Sequence, residues 1–297
     1  MKELILLFMI VPVIGYSQVV AKEENGAIKA GNTVVQSTIK NPSPQEIQRQ
    51  RNFNLEELKV RWKKAALENC TGVPCVVTPP APSFTCGTNT VTDVDGNIYN
   101  TVAIGTGATF QCWMKENLKV TKYRDNTVIT LDASGGVNGT TGGETWSGQP
   151  LGARTVYLND VDFLFTYGYL YNWFAVNEPK GLCPTGWHVP TNAEWTTLID
   201  HLGGISVAGG RMKATTLWNA PNTGATNDSG FFGFPGGIRN VNGSFNDFGN
   251  FAFFWSASVY ESNPSNAWSS RLNTFGGDAG IVTNSKIMGA SVRCLRD

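Results

Sequence analysis

The stretch that decides the fold is GLCPTGWHVPTNAEWTTLIDHLGG, residues 181–204. Within it, Thr191 is followed three residues later by Glu194, the pattern of a capping box, in which both side chains satisfy backbone donors at a helix N-terminus. Pro190 favours an extended approach to that helix. The residues that then recur at helical spacing are Trp195, Leu198 and Leu202. The pattern predicts a helix with one apolar face that runs to about Gly203.

The same stretch contains Cys183 and His188, one of only two histidines in the chain. A catalytic thiolate needs a lowered pKa and a base that a third group orients, and no cysteine-protease signature surrounds Cys183. His188 has no second histidine or carboxylate at the spacing of a zinc motif. We therefore predict that His188 is a core or boundary residue hydrogen-bonded to backbone. Metal binding or base catalysis is the alternative.

The first residues, MKELILLFMIVPVIGYSQ, are typical of a secretory signal peptide. Lys2 supplies a positive charge, an apolar run follows, and Gly15 and Ser17 are small residues at positions −3 and −1 of a cleavage site. The run is shorter than the ~20 apolar residues that span a bilayer. The sequence predicts a signal peptide over residues 1–17, a secreted or cell-surface location, and no integral membrane segment after cleavage.

The composition favours an exported, loop-rich protein that contains β-structure. Glycine accounts for 33 residues, 15% of the residues are charged, and the formal net charge is zero. Binding to nucleic acid needs a positive surface, so nucleic acid is not an expected partner. The chain has six cysteines, and an even number in an exported protein indicates disulfides before free thiols.

The N-terminal part of the chain is predicted to be an extension. Residues 18–42 show no sustained periodicity and are expected to form a flexible arm. Residues 43–69 begin with Ser43-Pro44 and carry apolar residues at helical spacing, which predicts an amphipathic helix. Its apolar stripe leaves three alternatives: self-association, packing on the following domain, or a solvated stalk. Residues 70–83 are a Cys/Pro-rich linker.

A hairpin is predicted where the globular part begins. VTDVDGNIYNTVAIG, residues 91–105, alternates apolar and polar residues around Asp95-Gly96, a strong turn signal. Asp93, Asp95 and Asn97 are also spaced like the start of a calcium loop, but the carboxylate that closes such a loop is absent from the sequence. We predict a hairpin here, with calcium binding as the alternative.

Several segments taken together resemble one known family. They include YGYLYNWFAV, GLCPTGWHVPTNAEWTTLIDHLGG, GFPGGIRNVNGSF, FFWSASV and SVRCLRD. In this order they resemble the Fibrobacter succinogenes major paralogous domain, which occurs in exported bacterial proteins, over residues ~84–297. HVPTNAEW is also similar to a stretch of the formylglycine-generating enzymes. The resemblance implies an α+β, C-type-lectin-like fold with twisted antiparallel sheets, two helices and long irregular loops, preceded by the N-terminal helix and linker.

The resemblance also bears on the cysteines. Formylglycine-generating enzymes depend on two neighbouring cysteines near the C-terminus, whereas this chain has only Cys294 there, so the resemblance implies their fold without their catalytic pair. The two cysteines that flank the predicted hairpin would be brought within bonding distance by adjacent strands. We predict three disulfides: Cys183–Cys294, Cys86–Cys112 and, by remainder, Cys70–Cys75.

A recognition face is expected in residues 216–255. In C-type-lectin-like folds, the irregular loops between the second helix and the last strands bind ligands, and here they are rich in asparagine, glycine and aromatic residues, which suit sugars or proteins. The alternative is that the aromatic residues are core, as we expect for Phe254 and Trp255, and that the Asn-Gly pairs are turns. The candidate ligand-binding residues are Trp218, Asn222, Asn227, Asp228, Asn246, Asp247 and Trp268.

The calcium signatures of lectins with this fold are not retained. Their Glu-Pro-Asn and Trp-Asn-Asp triplets correspond here to Glu178-Pro179-Lys180 and Trp218-Asn219-Ala220. Lysine and alanine each remove an oxygen ligand. We therefore predict no metal site and no cofactor, with an ion at Asp228 or Asp247 as the alternative.

The function favoured by these patterns is an exported, non-catalytic binding module that recognises an extracellular glycan or protein through residues 216–250. No catalytic residue is predicted, because the sequence offers no evident pair of carboxylates for glycoside hydrolysis. The alternatives are an exported enzyme acting on polysaccharide and a structural component of the envelope.

Overall fold

The computed structural model describes residues 22–24, 27–29, 84–132 and 151–297. Phe84–Asp297 form one compact unit, separate from Met1–Ser83. The predicted signal peptide, the helix over 43–69, the linker over 70–83 and the Cys70–Cys75 bond lie outside the described residues. Within the described ranges, no helix has the length and apolar character needed to cross a membrane.

Two short strands occur inside the segment predicted to be a flexible arm. Strand β1 (Lys22–Glu24) pairs antiparallel with strand β2 (Ala27–Lys29). Asn25-Gly26 stands between them in the sequence, and Asn-Gly is the dipeptide most typical of two-residue hairpin turns. The absence of sustained periodicity over 18–42 gave no indication of these strands, and the flexible arm stays a prediction.

The unit from Phe84 onward is α+β, with mostly short antiparallel strands. Its strands are β3 (Val91–Thr92), β4 (Ile98–Tyr99), β5 (Thr101–Ile104), β6 (Gln111–Met114), β7 (Thr130–Leu131), β8 (Ala153–Thr155), β9 (Leu170–Tyr171), β10 (Trp187–His188), β11 (Ile238–Arg239), β12 (Phe245–Asn246), β13 (Phe251–Val259), β14 (Asn266–Asn273), β15 (Ala279–Ser285) and β16 (Leu295–Arg296). Its α-helices are α1 (Leu164–Tyr167), α2 (Trp173–Val176), α3 (Asn192–His201) and α4 (Ile205–Met212). Among the described residues from Phe84 onward, α3 and α4 are the helices that exceed one turn.

The sheets join segments that are distant in sequence. The four-stranded sheet has the order β10-β16-β6-β5, and its strand pairs are antiparallel. A three-stranded antiparallel sheet has the order β13-β14-β15, and a third sheet has the order β7-β8-β9 with β7 and β8 parallel. Strands β3 and β4 form the predicted hairpin. Its loop is held by Asp93, whose Oδ1 accepts hydrogen bonds from the backbone N–H groups of Asp95 and Asn97.

Two disulfides connect the four-stranded sheet to its surroundings. Cys86 bonds to Cys112 in β6, with the Cα atoms 5.8 Å apart, and Cys183 bonds to Cys294 next to β16, with the Cα atoms 6.0 Å apart. Both predicted pairings are confirmed. Cys183 is therefore a buried structural residue.

Helix α3 has the predicted start. The Thr191 hydroxyl accepts from the Glu194 N–H at 3.3 Å, and the Glu194 carboxylate accepts from the Thr191 N–H at 2.7 Å, which completes the capping box. Trp195, on the inner face of α3, is completely buried. Its ring contacts Trp113 of β6 at a centroid distance of 4.7 Å. The helix thus packs on the four-stranded sheet through the face that its periodicity predicts.

The β13–β15 sheet has apolar contacts on both faces. Phe254 points into the cluster that contains Trp195 and helix α4. Trp255, its neighbour in β13, points the other way into the cluster that contains the Cys183–Cys294 disulfide. Both are fully buried, as the sequence predicted. Towards the start of β13, at Phe251 and Phe253, the face of the sheet that carries Trp255 becomes partly exposed.

Candidate functional site

An aromatic strip occupies the partly exposed end of the β13–β15 sheet. We define the strip as Phe251, Phe253, Arg271 and Phe275. Side chains alternate between the two faces of a strand, and Phe251 and Phe253 lie two residues apart on the face opposite Phe254. Phe253 pairs across the strands with Arg271 of β14. Phe275 follows in the turn between β14 and β15 and is 62% exposed.

Phe251 contacts each of the other members of the strip. Phe251 and Phe253 stack with centroids 5.9 Å apart and an interplanar angle of 26°. Phe275 meets Phe251 edge-on at 6.0 Å, and the Arg271 guanidinium lies 5.8 Å from the Phe251 centroid. Gly280 pairs with Arg271 in the next strand, and a Cβ there would come within 3.4 Å of the guanidinium. The glycine keeps this part of the face flat.

Polar groups border the strip at its Phe251 end. The Phe251 N–H donates to the backbone carbonyl of Asp247 at 2.9 Å, so Asp247 lies one turn before the strip. Asn219 Nδ2 donates to Asn250 Oδ1 at 3.0 Å, and Thr274 N–H donates to the Asn250 carbonyl. These hydrogen bonds therefore join two loops at Asn250, the residue that precedes Phe251 in the chain. The planar side-chain amides of Asn219 and Asn250 can both donate to and accept from a ligand.

The charges around the strip are partly compensated. Arg271 forms an ion pair with Asp278 at 3.6 Å, and its guanidinium keeps its face over Phe251. Asp247 is half-buried, and burial raises the pKa of its carboxyl group. Within residues 84–132 and 151–297, no hydrogen bond to the Asp247 carboxylate occurs. It is therefore available to accept from a ligand hydroxyl.

A second candidate is a cavity of about 320 Å³ between β6, α3 and β16. Its lining includes Phe110, Gln111, Glu194, Arg296 and Asp297. Gln111 is already engaged, because its amide donates to the Glu194 carbonyl and accepts from the Trp113 indole. Both polar atoms of the Gln111 amide are therefore occupied by hydrogen bonds within the chain.

His188 lies beside this cavity, between two carboxylates. Its Nδ1 is 2.6 Å from Asp297 Oδ1, and its Nε2 is 3.0 Å from Glu194 Oε1. The predicted hydrogen bonds to backbone were wrong: His188 is a boundary residue, but its partners are acidic side chains. The capping box causes this, since it turns the Glu194 carboxylate back over the start of α3, towards β10.

The pKa values of this cluster follow from the contacts. The hydrogen bond to Glu194 is the largest cause that raises the pKa of His188, burial opposes it, and Asp297 adds to the increase. Burial by itself would raise the pKa of Glu194, but hydrogen bonds from His188 and Thr191 outweigh it and lower the pKa to about 2. The imidazolium form of His188 is thus favoured by the Glu194 carboxylate beside it.

We predict that this ion cluster stabilises the fold most in mildly acidic solution. A raised His188 pKa contributes stability that is complete below the ordinary value of 6.5 and is lost as the pH rises through the folded value. A lowered Glu194 pKa contributes above 4.5 and is lost as the pH falls towards about 2. His188→Gln should therefore lower the melting temperature more at pH ~5.5 than at pH ~8.5. The corresponding loss in the free energy of unfolding should be at most about 1 kcal/mol, because the groups are partly exposed. An equal loss at both pH values would contradict the assignment.

Comparison with known proteins fixes the family. The family model of the Fibrobacter succinogenes major domain matches residues 102–296, more than half of the chain. The chain belongs to this family. No curated protein and no solved structure matches the chain. The α+β class with antiparallel sheets is observed, while the C-type-lectin-like and formylglycine-generating-enzyme-like relationships stay predictions.

In the structure, three of the candidate ligand-binding residues make their side-chain contacts away from the aromatic strip. The Nε–H of Arg211 donates to both carboxylate oxygens of Asp228, each at 3.0 Å. Asn227 and Asn222 hold loop turns, since their amides bond to Phe232 N–H and to the Ala214 carbonyl. Of these residues, none borders the aromatic strip through a described side-chain contact.

The other candidates also separate. Asn246 is exposed and accepts from Asn240 at 2.6 Å. Asp247 is adjacent to the strip through the Phe251 backbone. Trp268 lies on the other face of β14 from Arg271, where it meets Tyr260 edge-on at 5.0 Å. Among the predicted residues, Asp247 is therefore next to the strip through the Phe251 backbone, and Asn222 is next to it through Thr274, whose hydroxyl accepts from the Asn222 N–H at 3.1 Å.

Trp218 was a wrong choice as an exposed anchor. It is 8% exposed, and its indole N–H donates to the Gly233 carbonyl at 3.0 Å. Its ring packs in the cluster beneath helices α3 and α4. The sequence could not distinguish a stacking platform from a core tryptophan, because both occur in polar, glycine-rich loops.

The strip residues themselves were missed. FAFFW, residues 251–255, is apolar at every position, so its alternation carries no signal of an exposed face. Phe275 had a usable signal: it is a lone aromatic residue in the polar turn NTFGGD, residues 273–278. A large apolar side chain in such a turn has little core to enter.

Proposed function

We propose that this chain is an exported, non-catalytic binding module that recognises a glycan through the aromatic strip. The observation that carries the proposal is the contact between Phe251, Phe253 and Phe275 on a sheet face that is partly open to solvent. Apolar C–H faces of sugars pack on aromatic rings, which supply most of the contact energy. The amides of Asn219 and Asn250, the Asp247 carboxylate and Arg271 then meet the hydroxyl groups.

The shape of the strip favours a glycan over a protein. Protein interfaces that are stable usually bury ~1,200 Å² or more and surround a broad apolar centre. The strip consists of three rings and one guanidinium, and Asn250 and Asp247 are next to its Phe251 end through the backbone. A narrow row of rings with polar neighbours fits an extended oligosaccharide, and a broad protein surface would leave those polar groups unpaired.

Export is part of the proposal. The Cys86–Cys112 and Cys183–Cys294 disulfides are compatible with an oxidising location, and the signal-peptide pattern favours secretion or display on the cell surface. The enzyme alternative would have to use the cavity near His188. Glu194, with a pKa of about 2 and three hydrogen bonds, would stay ionised and would serve poorly as a general acid there.

A glycan array tests the proposal. The purified exported chain, shown to be folded by a cooperative thermal transition, should bind a related set of neutral oligosaccharides. Binding should persist in the presence of a chelator, because the proposed contacts are made by rings, amides, a carboxylate and a guanidinium without a bridging metal ion. A folded chain that binds no glycan on the array, in either buffer, contradicts the proposal.

A further inference from the structure

Lys213 is completely buried immediately after helix α4. Its Nζ donates hydrogen bonds to the backbone carbonyls of Thr223, Asn273 and Gly276, each at 2.8 Å. A lysine ammonium group has three N–H donors and accepts nothing, so these three carbonyls use its full capacity. The group is thus held by carbonyl oxygens, with no carboxylate in hydrogen-bond contact among the described residues.

An aromatic ring covers the same ammonium group. Nζ lies 5.4 Å from the centroid of Trp218, close enough for the electron-rich face to attract a cation. We use the name carbonyl cage for the Thr223, Asn273 and Gly276 carbonyls together with this ring. Burial lowers the pKa of Lys213 to about 8, and the nearby charge of Asp278 acts in the opposite direction. Without the three carbonyls, a charge in this position would be strongly unfavourable.

The carbonyl cage joins two loops that support the aromatic strip. Thr223 belongs to the loop between α4 and β11, whereas Asn273 ends β14 and Gly276 follows Phe275 in the turn to β15. The Thr223 N–H also donates to the Thr274 carbonyl at 2.9 Å. The cation at the centre therefore fixes the turn that presents Phe275.

The geometry of the cage is that of an ion site. Backbone carbonyl oxygens are the ligands that proteins use for hard cations and, in rings, for potassium. Ammonium and potassium ions have similar radii and take similar distances to oxygen. We propose that the carbonyl cage is a monovalent-cation site that the chain fills with its own Lys213 ammonium group, and that removal of this group opens the site to potassium or ammonium ions.

Two substitutions distinguish a monovalent-cation site from a buried lysine with a structural role alone. Lys213→Ala removes the charge and most of the volume of the side chain, so a cation with water can enter the carbonyl cage. Lys213→Met removes the charge but keeps most of the volume, so it blocks entry. Both variants should melt at a lower temperature than the wild type in choline chloride, whose cation is too large for the cage.

The readout is the melting temperature in potassium, ammonium and choline chloride at equal ionic strength. We expect Lys213→Ala to gain roughly 2–4 °C in potassium or ammonium relative to choline, while the wild type and Lys213→Met show no such preference. If Lys213→Ala does not fold in choline, its refolding yield should recover in potassium or ammonium. Recovery in neither salt overturns the proposal. So does an equal gain for Lys213→Met, which would reveal a general salt effect.

Discussion

We expect the replacement of Cys183 and Cys294 together by alanine to lower the free energy of unfolding by about 4–5 kcal/mol. The disulfide closes a loop with a sequence separation of 111 residues, and in the chain-entropy model a loop of this length restricts the unfolded chain by about that amount. Alanine is the suitable replacement, since both cysteines are buried in an apolar cluster. Denaturant unfolding measures the loss.

The second disulfide provides the matched control. Cys86–Cys112 has a sequence separation of only 26 residues, so its removal should cost less, about 3.5 kcal/mol in the same model. The larger loss for the longer loop is the expected order. The reverse order would show that local packing, and not restriction of the unfolded chain, dominates the stabilisation by these bonds.

Trp255→Ala should destabilise the fold by about 3–5 kcal/mol, the usual cost of removing a buried aromatic side chain. Trp255 is fully buried, and its indole N–H donates to the Tyr171 carbonyl at 2.7 Å. The substitution leaves a cavity between the β13–β15 sheet and strand β9, and the Tyr171 carbonyl keeps its hydrogen bond from the Ala290 N–H.

Trp268→Ala is the control within the same sheet. Trp268 is only half-buried, and its described ring contact is with Tyr260, so its loss should cost clearly less in the same denaturant measurement. Trp218→Ala should resemble Trp255→Ala in direction, since Trp218 is buried over Lys213. Equal losses for Trp255 and Trp268 would contradict the assignment of Trp255 to the centre of the core.

The parts of the fold that were predictable from sequence are those set by local chemistry. Thr191 and Glu194 specify a helix start because both groups of the capping box lie within four residues. Asp95-Gly96 specifies the first hairpin for the same reason. Cys183 and Cys294 are far apart in sequence, and their pairing was accessible because the even count of cysteines and the family resemblance left few partners.

The candidate site was harder to predict from sequence because it depends on long-range packing. Phe251 and Phe254 are indistinguishable by composition, and only the contacts of the two sheet faces decide which one is buried. Lys213 is missed for a related reason: nothing in its local sequence indicates that carbonyls 10, 60 and 63 residues away converge on its ammonium group. Similarly, the two carboxylates of the His188 cluster come from different elements.

The measurement that tests glycan recognition most directly is the affinity of an array-selected oligosaccharide for two phenylalanine variants, determined by calorimetric titration. Phe275→Ala removes the most exposed ring of the aromatic strip, whereas Phe165→Ala removes a ring of helix α1 that is 79% exposed and lies outside the strip. We predict that Phe275→Ala weakens binding by roughly 1–3 kcal/mol with little change in melting temperature, and that Phe165→Ala binds like the wild type. Wild-type affinity in Phe275→Ala, or an equal loss in both variants, would contradict recognition through the aromatic strip.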